Sequence, residues 1–346
     1  MELQFGEQIS PFIKVEEDGG GAPSPQTGSL DSTQVLLRRP VPVREGTRSG
    51  SGRLAVARGY MKVAGNKRRL GDRHKAMEGA YKNQISGPAP MTRRIRKEYS
   101  PTERKYGPLT GMKLTPKTYL GELPDVFYLH GGGYSSPPGI CHWWLTAELA
   151  EKLNTRLHCM LYPLIPSSTA IETVQAVVDG YLAYVDEFGE APIVAGDSSG
   201  GGLSLALTLT LRDIGAPLPQ HLILFAPWID LTASTPGFDY CESKDVILAA
   251  EGIDLASEIY AGALDRRNPI VSPLFGDPTG LCPTTVVLGT NDALYAEGAA
   301  WVEKAEQAGV DVGVFTAKGG FHVFPAAHWL PESQEAYSYI KQRVTR

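Results

Sequence analysis

From residue 124 to the end, short apolar runs alternate with longer stretches whose apolar residues recur at helical spacing. The runs at 125–129, 156–161, 192–195, 221–226, 284–289 and 311–316 have the length and apolar density of strands buried on both faces. Between them, 143–153, 169–188, 199–213, 250–262, 296–308 and 332–344 read as helices. The clearest is 169–188, where Ile171, Val174, Val177, Val178, Tyr181 and Leu182 form one stripe. Strand–helix alternation of this kind predicts an α/β domain over 124–346, with a mostly parallel central sheet covered by helices on both faces. The segment 232–249, between the strands at 221–226 and 284–289, reads as a surface loop, with a place in the wall of a substrate pocket as the alternative.

Before residue 124 the pattern fades. Residues 1–37 have no apolar period and carry a Gly/Pro/Ser-rich stretch at 19–25, so they read as a disordered tail. Residues 65–83 suggest a weak helix with a thin stripe. No pair of strands stands out before Asp125, and 112–120 is the best single candidate. Residues 38–123 therefore read as a basic, low-order extension or as a divergent cap over the site.

Charge sharpens that division. The net charge of −5 over 346 residues is unevenly spread: residues 38–105 hold 19 Lys/Arg against 5 Asp/Glu, and residues 106–346 hold 13 against 27. A basic tract of this size is a solvated extension, a contact for nucleic acid or anionic membrane, or an altered cap. The aromatics interleaved in it are few, chiefly Tyr60, Tyr81, Tyr99 and Tyr106, which argues against base stacking. The four cysteines, at 141, 159, 241 and 282, form no C-x-x-C pair and read as free thiols, with no metal expected. No signal-peptide core opens the chain and no apolar run reaches membrane-spanning length, so a cytoplasmic location is the expectation.

The chemistry concentrates in three places. Gly196-Asp197-Ser198-Ser199-Gly200 follows a strand and opens a helix, the context of a nucleophile elbow. Ser198 is the candidate nucleophile, standing at a helix N-terminus that favours developing negative charge. His130-Gly131-Gly132-Gly133 follows the strand at 125–129. Its glycines let the backbone approach a substrate, and Gly132, Gly133 and Ser199 are the candidate oxyanion donors. An elbow of this kind is followed along the chain by an acid and then a base. Among the later histidines, His221 lies in a strand and His328 in a loop or helix wall. His322, in the glycine-rich loop 319–324, is the candidate base. Asp292, just after the strand at 284–289, is the candidate acid, with Glu297 as runner-up and Asp265 and Asp277 as weaker rivals because neither directly follows a strand.

These motifs, taken in order, resemble the hormone-sensitive-lipase family of α/β-hydrolases, in its bacterial and fungal esterase branch. The resemblance runs from about residue 124 to the end. It extends to His142, twelve residues after His130, and to the segments 227–232, 268–274 and 319–324. It implies carboxylic-ester hydrolysis of a small molecule with a short or medium acyl group. The triad would be Ser198, Asp292 and His322, with neither metal nor organic cofactor. A lactonase, amidase or transacylase on the same triad, or a ligand-binding homologue without catalysis, is the alternative. One departure is local: Tyr162-Pro163-Leu164-Ile165-Pro166-Ser167 stands where the family carries Tyr-Arg-Leu-Ala-Pro-Glu. The other is the N-terminal third.

Overall fold

The structure, a computed structural model, describes residues 49–346; the tail read at 1–37 lies outside the described residues. Eight strands form one sheet: β1 (Thr102–Tyr106), β2 (Leu109–Leu114), β3 (Val126–Leu129), β4 (Leu157–Leu161), β5 (Ile193–Asp197), β6 (Leu222–Phe225), β7 (Thr284–Gly289) and β8 (Val312–Ala317). Their spatial order is β1-β2-β4-β3-β5-β6-β7-β8. From β4 to β8 every pair is parallel, while β1–β2 and β2–β4 are antiparallel.

Alternate residues of the central strands feed two cores. Phe127, Leu129 and Val194 join one, and Val126, Tyr128, Ile193 and Ala195 the other. The first core is closed by α6 (Ala170–Phe188), α7 (Ser199–Asp213) and α10 (Tyr295–Gln307). The second is closed by α5 (Ile140–Leu153) and α11 (Pro331–Val344). Burial on both faces explains why these strands read as unbroken apolar runs. The helices and strands expected from residue 124 onward all form, within one to three residues at their ends.

The chain departs from β3 to β4 on one side and reaches β5 on the other. Sheets of this type place their crevice at that switch point, beyond the carboxyl ends of the strands. The loops after β3 and β5 therefore lie side by side, and those after β7 and β8 lie along the same edge.

The N-terminal third corrects two expectations. Residues 102–114 do form a strand pair, a hairpin on the edge of the sheet joined at Gly107-Pro108. It escaped notice because β1, Thr-Glu-Arg-Lys-Tyr, is exposed except at Tyr106 and so has no alternation to read. The low-order reading of the basic segment is likewise replaced, over the described residues, by four helices: α1 (Gly52–Ala64), α2 (Asn66–Leu70), α3 (Arg73–Ser86) and α4 (Arg93–Tyr99). Side chains of Ser51, Asp72 and Thr92 cap α1, α3 and α4, accepting N–H groups one turn on. Their stripes are thin because α1 buries only Leu54, α3 only Ala80, and α4 Ile95 and Tyr99. One such fully buried leucine contributes about 1.5–3 kcal/mol. Two further helices, α8 (Phe238–Lys244) and α9 (Ala250–Ala261), lie between β6 and β7. Among the described residues, no helix is long and apolar enough to cross a membrane.

Candidate active site

The turn from β5 into α7 holds Ser198 at φ 53°, ψ −124°, a conformation that L-residues rarely adopt. Close backbone packing enforces it. A Cβ on Gly196 would lie 2.3 Å from the Gly200 carbonyl oxygen, and a Cβ on Gly200 would lie 2.1 Å from that of Leu129. Only glycine fits either position, which is the physical content of the G-x-S-x-G spacing. The Ser198 N–H donates to the Phe225 carbonyl at 2.9 Å, tying the turn to β6.

His322 reaches Ser198 from the loop after β8. Its Nε2 lies 2.9 Å from Ser198 Oγ, and its Nδ1 lies 3.1 and 3.0 Å from the two carboxylate oxygens of Asp292. With Nδ1–H donating to Asp292, Nε2 carries a lone pair directed at the serine hydroxyl and able to accept its proton. Burial disfavours the charged ring, but the Asp292 carboxylate and its hydrogen bond outweigh burial, and the His322 pKa is raised above 6.5. The three residues singled out in the sequence are thus brought together.

The rivals are elsewhere. His221 bonds the Thr285 hydroxyl at 2.8 Å, and burial pushes its pKa down to about 4. His328 packs edge-on against Trp144 and Trp329. Glu297 accepts the N–H of Ile229 at 2.6 Å. Asp265 and Asp277 accept N–H groups of their own turns, from Arg267 and Thr279.

The glycine loop presents its donors in alternation. Gly131 N–H is taken by Asp197 Oδ1 at 2.8 Å and Tyr134 N–H by Ser199 Oγ at 3.2 Å. Between them, the N–H groups of Gly132 and Gly133 meet no acceptor among the described residues, and both residues line the cavity that holds Ser198 and His322. Gly132 sits at φ 121° and Gly133 at φ 61°, backbone conformations that favour glycine. The N–H of Ser199, first residue of α7, is also without an acceptor.

Two supports of this loop were not assigned from the sequence. Asp197 accepts Tyr128 O–H at 2.6 Å as well as Gly131 N–H, and His142 Nε2 stands 3.4 Å away. Burial raises its pKa, but His142 and these hydrogen bonds prevail, and the carboxyl is held below its usual range. His142 Nδ1 accepts the Gly139 N–H at 2.8 Å, leaving Nε2–H to donate to Asp197. In the sequence His142 stands out only as a second histidine, and Asp197 fills a variable position of the elbow motif that carries no signal. His130 stacks on Tyr162 at 4.4 Å, and burial depresses its pKa to about 3, so it is a neutral brace.

Ser198 opens into a cavity of about 630 Å3 with a mostly apolar wall, including Met77, Leu145, Trp228, Ile253 and Phe321. That size and lining suit a small organic ligand. Three N-terminal helices, α1, α2 and α3, form part of the wall through Met61, Leu70 and Ala80 among others. Helices that face a cavity rather than a core show half-buried side chains, which is why their pattern read as thin. The segment 232–249 is corrected here too: Ile247, Leu248 and Ala249 line the cavity instead of belonging to a surface loop.

The sequence model of a family described as the alpha/beta hydrolase fold matches residues 126–326. An esterase of Acinetobacter venetianus is 33% identical over 227 residues, covering 64% of this chain and 74% of its own length. An acetyl-hydrolase of Streptomyces hygroscopicus is 30% identical over 218 residues, covering 61% and 72%. Among solved structures, a hormone-sensitive lipase from a metagenome library superposes with a TM-score of 0.74 at 26% identity, covering 84% of this chain and 98% of its own.

Proposed function

Because the chain belongs to the α/β-hydrolase fold family, matched over residues 126–326, we propose that it is a serine esterase that cleaves small carboxylic esters with short or medium acyl groups. The observation that carries this reading is the 2.9 Å contact between His322 Nε2 and Ser198 Oγ, beside three N–H groups that meet no acceptor among the described residues. His322 takes the serine proton as Oγ attacks the ester carbonyl carbon. The N–H groups of Gly132, Gly133 and Ser199 receive the oxyanion. The imidazolium, steadied by Asp292, returns the proton to the departing alcohol, leaving an acyl group on Ser198. Water attacks that acyl group with the same histidine as base, and the histidine passes the proton to Ser198 Oγ as the carboxylic acid leaves. The similarity to an esterase and an acetyl-hydrolase supports ester cleavage. The apolar cavity of about 630 Å3 supports a substrate of modest size.

A fluorophosphonate probe tests the reading directly. It is expected to form one covalent adduct, on Ser198, located by peptide mass spectrometry. An adduct elsewhere, or none on folded protein, refutes the assignment.

The pH dependence follows from His322. Only the neutral ring can take the serine proton, so kcat/KM rises as pH rises through the pKa of the free enzyme's base. Since Asp292 raises that pKa above 6.5, the midpoint of the acid limb with nitrophenyl acetate is expected above pH 6.5. A midpoint at or below 6.5 contradicts the electrostatics described.

A further inference from the structure

Asp245, immediately after α8 in the β6–β7 connection, is a carboxylate outside the triad with only 3% of its surface exposed. Its Oδ2 accepts the N–H of Ala293, the residue next to Asp292, at 2.8 Å. Its Oδ1 accepts the N–H groups of Ile247 at 2.6 Å and Leu248 at 2.9 Å, and both of those residues line the cavity. One side chain thus clamps the loop that carries the acid and the wall of the substrate cavity. Three backbone donors are the environment of an ionised carboxylate rather than a neutral acid.

Burying such a charge is costly unless something positive answers it. Among the described residues, no Lys or Arg forms an ion pair with Asp245. The groups that bear on it are Asp292, His322 and the Cys241 thiol, while the neighbouring Lys244 ammonium is turned to the Tyr240 ring and hydroxyl. Those that bear on His322 are Asp292, Asp245 and Asp197. The one member of this set able to become a cation is the His322 imidazole. Of the carboxylates, Asp292 bonds the ring directly, and Asp245 holds the N–H of Ala293, the residue beside Asp292.

We propose that Asp245 is a positioning residue of the esterase reaction: its backbone-held charge stabilises the imidazolium that forms as Ser198 gives up its proton, and its bond to Ala293 fixes the loop presenting Asp292. This inference rests on the triad reading above. It also explains why a buried carboxylate occupies a site where an Asn or Ser could accept some of the same N–H groups. Burial and the nearby Asp292 charge raise the Asp245 pKa, while His322 and the backbone donors lower it, with a net rise from 3.8.

Asp245→Asn and Asp245→Ser remove the charge while keeping a polar side chain. For both, kcat/KM for nitrophenyl acetate is measured from pH 5 to 9 beside the unaltered protein. With less negative charge near the base, the acid limb is expected to move to lower pH by roughly half a unit or more. Plateau kcat is expected to fall about tenfold, because the imidazolium formed in the transition state loses support. The limb position does not depend on how much of a preparation is folded, so a partly unstable variant still reports. A limb that stays in place while kcat falls overturns the proposal and leaves Asp245 as packing. Loss of all probe-reactive protein in both variants also counts against it, since the residue would then hold the fold rather than the imidazole. If the unaltered protein itself shows no ester turnover, the proposed function fails, and that outcome is distinct from either of these.

Discussion

Ser198→Ala is expected to lower kcat for nitrophenyl acetate by roughly 10⁶-fold, the scale seen when a serine hydrolase loses its nucleophile. The Oγ that disappears makes one hydrogen bond, to His322 at 2.9 Å. Its removal leaves the oxyanion donors, the Asp292–His322 pair and the cavity wall in place. Because the buried His322 Nε2 loses its partner, thermal stability is expected to fall by no more than about 1–3 kcal/mol. Alanine inherits the same positive φ as serine, so the strain of the turn is unchanged. Both quantities are read on one preparation, by steady-state assay and by thermal melting. A variant with full turnover sinks the nucleophile assignment. One that fails to fold shows that the serine serves the turn itself.

The contrast between activity and stability reflects how the site was legible in the sequence. Ser198, Gly132 and Gly133 announced themselves because backbone geometry restricts the residue types at those points, and a restricted residue type is visible in one sequence. The candidates Asp292 and His322 follow from chain order and position after strands, since parallel strands deliver their loops to one edge. The rest of the site lacked such signals. Asp197 acts through bonds to Gly131 and Tyr128, 66 and 69 residues away. Asp245 acts through Ala293, 48 residues away. A carboxylate that braces a distant loop leaves no periodicity and no motif.

The N-terminal helices failed to show for a related reason. A helix is read from the stripe it buries, and α1 buries one residue fully while turning others, such as Met61, toward a cavity. The partners of this segment are polar and tertiary. The Ser51 N–H donates to Glu332, and Arg73 pairs with Asp254 and Glu258 on α9. The latter are exposed pairs, which water and salt screen, so they contribute little to stability. Positive charge in this segment is therefore compatible with a folded wall over the site, and net charge alone did not distinguish that from an extended chain. The strand β1 is the extreme case, an edge strand whose side chains meet solvent at four of five positions.

Gly200→Ala is expected to damage catalysis without touching any group that reacts. The new methyl would sit 2.1 Å from the Leu129 carbonyl oxygen and 2.5 Å from that of His130, both backbone atoms. Neither can swing aside as a side chain would. The end of β3 must move away from the elbow, and it carries the glycine loop with it. Gly131 would then strain its bond to Asp197, and the N–H groups of Gly132 and Gly133 would retreat from the carbon that Ser198 attacks. Losing a single well-aimed oxyanion donor costs about 2.7–4 kcal/mol of barrier, or 10²–10³ in kcat. Overpacking a tight contact costs a further 1–3 kcal/mol of stability. The expected result is a folded but less stable protein whose kcat falls at least 10²-fold while the fluorophosphonate still labels Ser198, since attack on a reactive phosphorus centre demands less of the donors. The two readouts separate the causes. Labelling lost together with turnover would mean that the elbow itself has collapsed. Labelling and turnover both kept would mean that β3 and α7 have more room between them than the 2.1 Å approach allows.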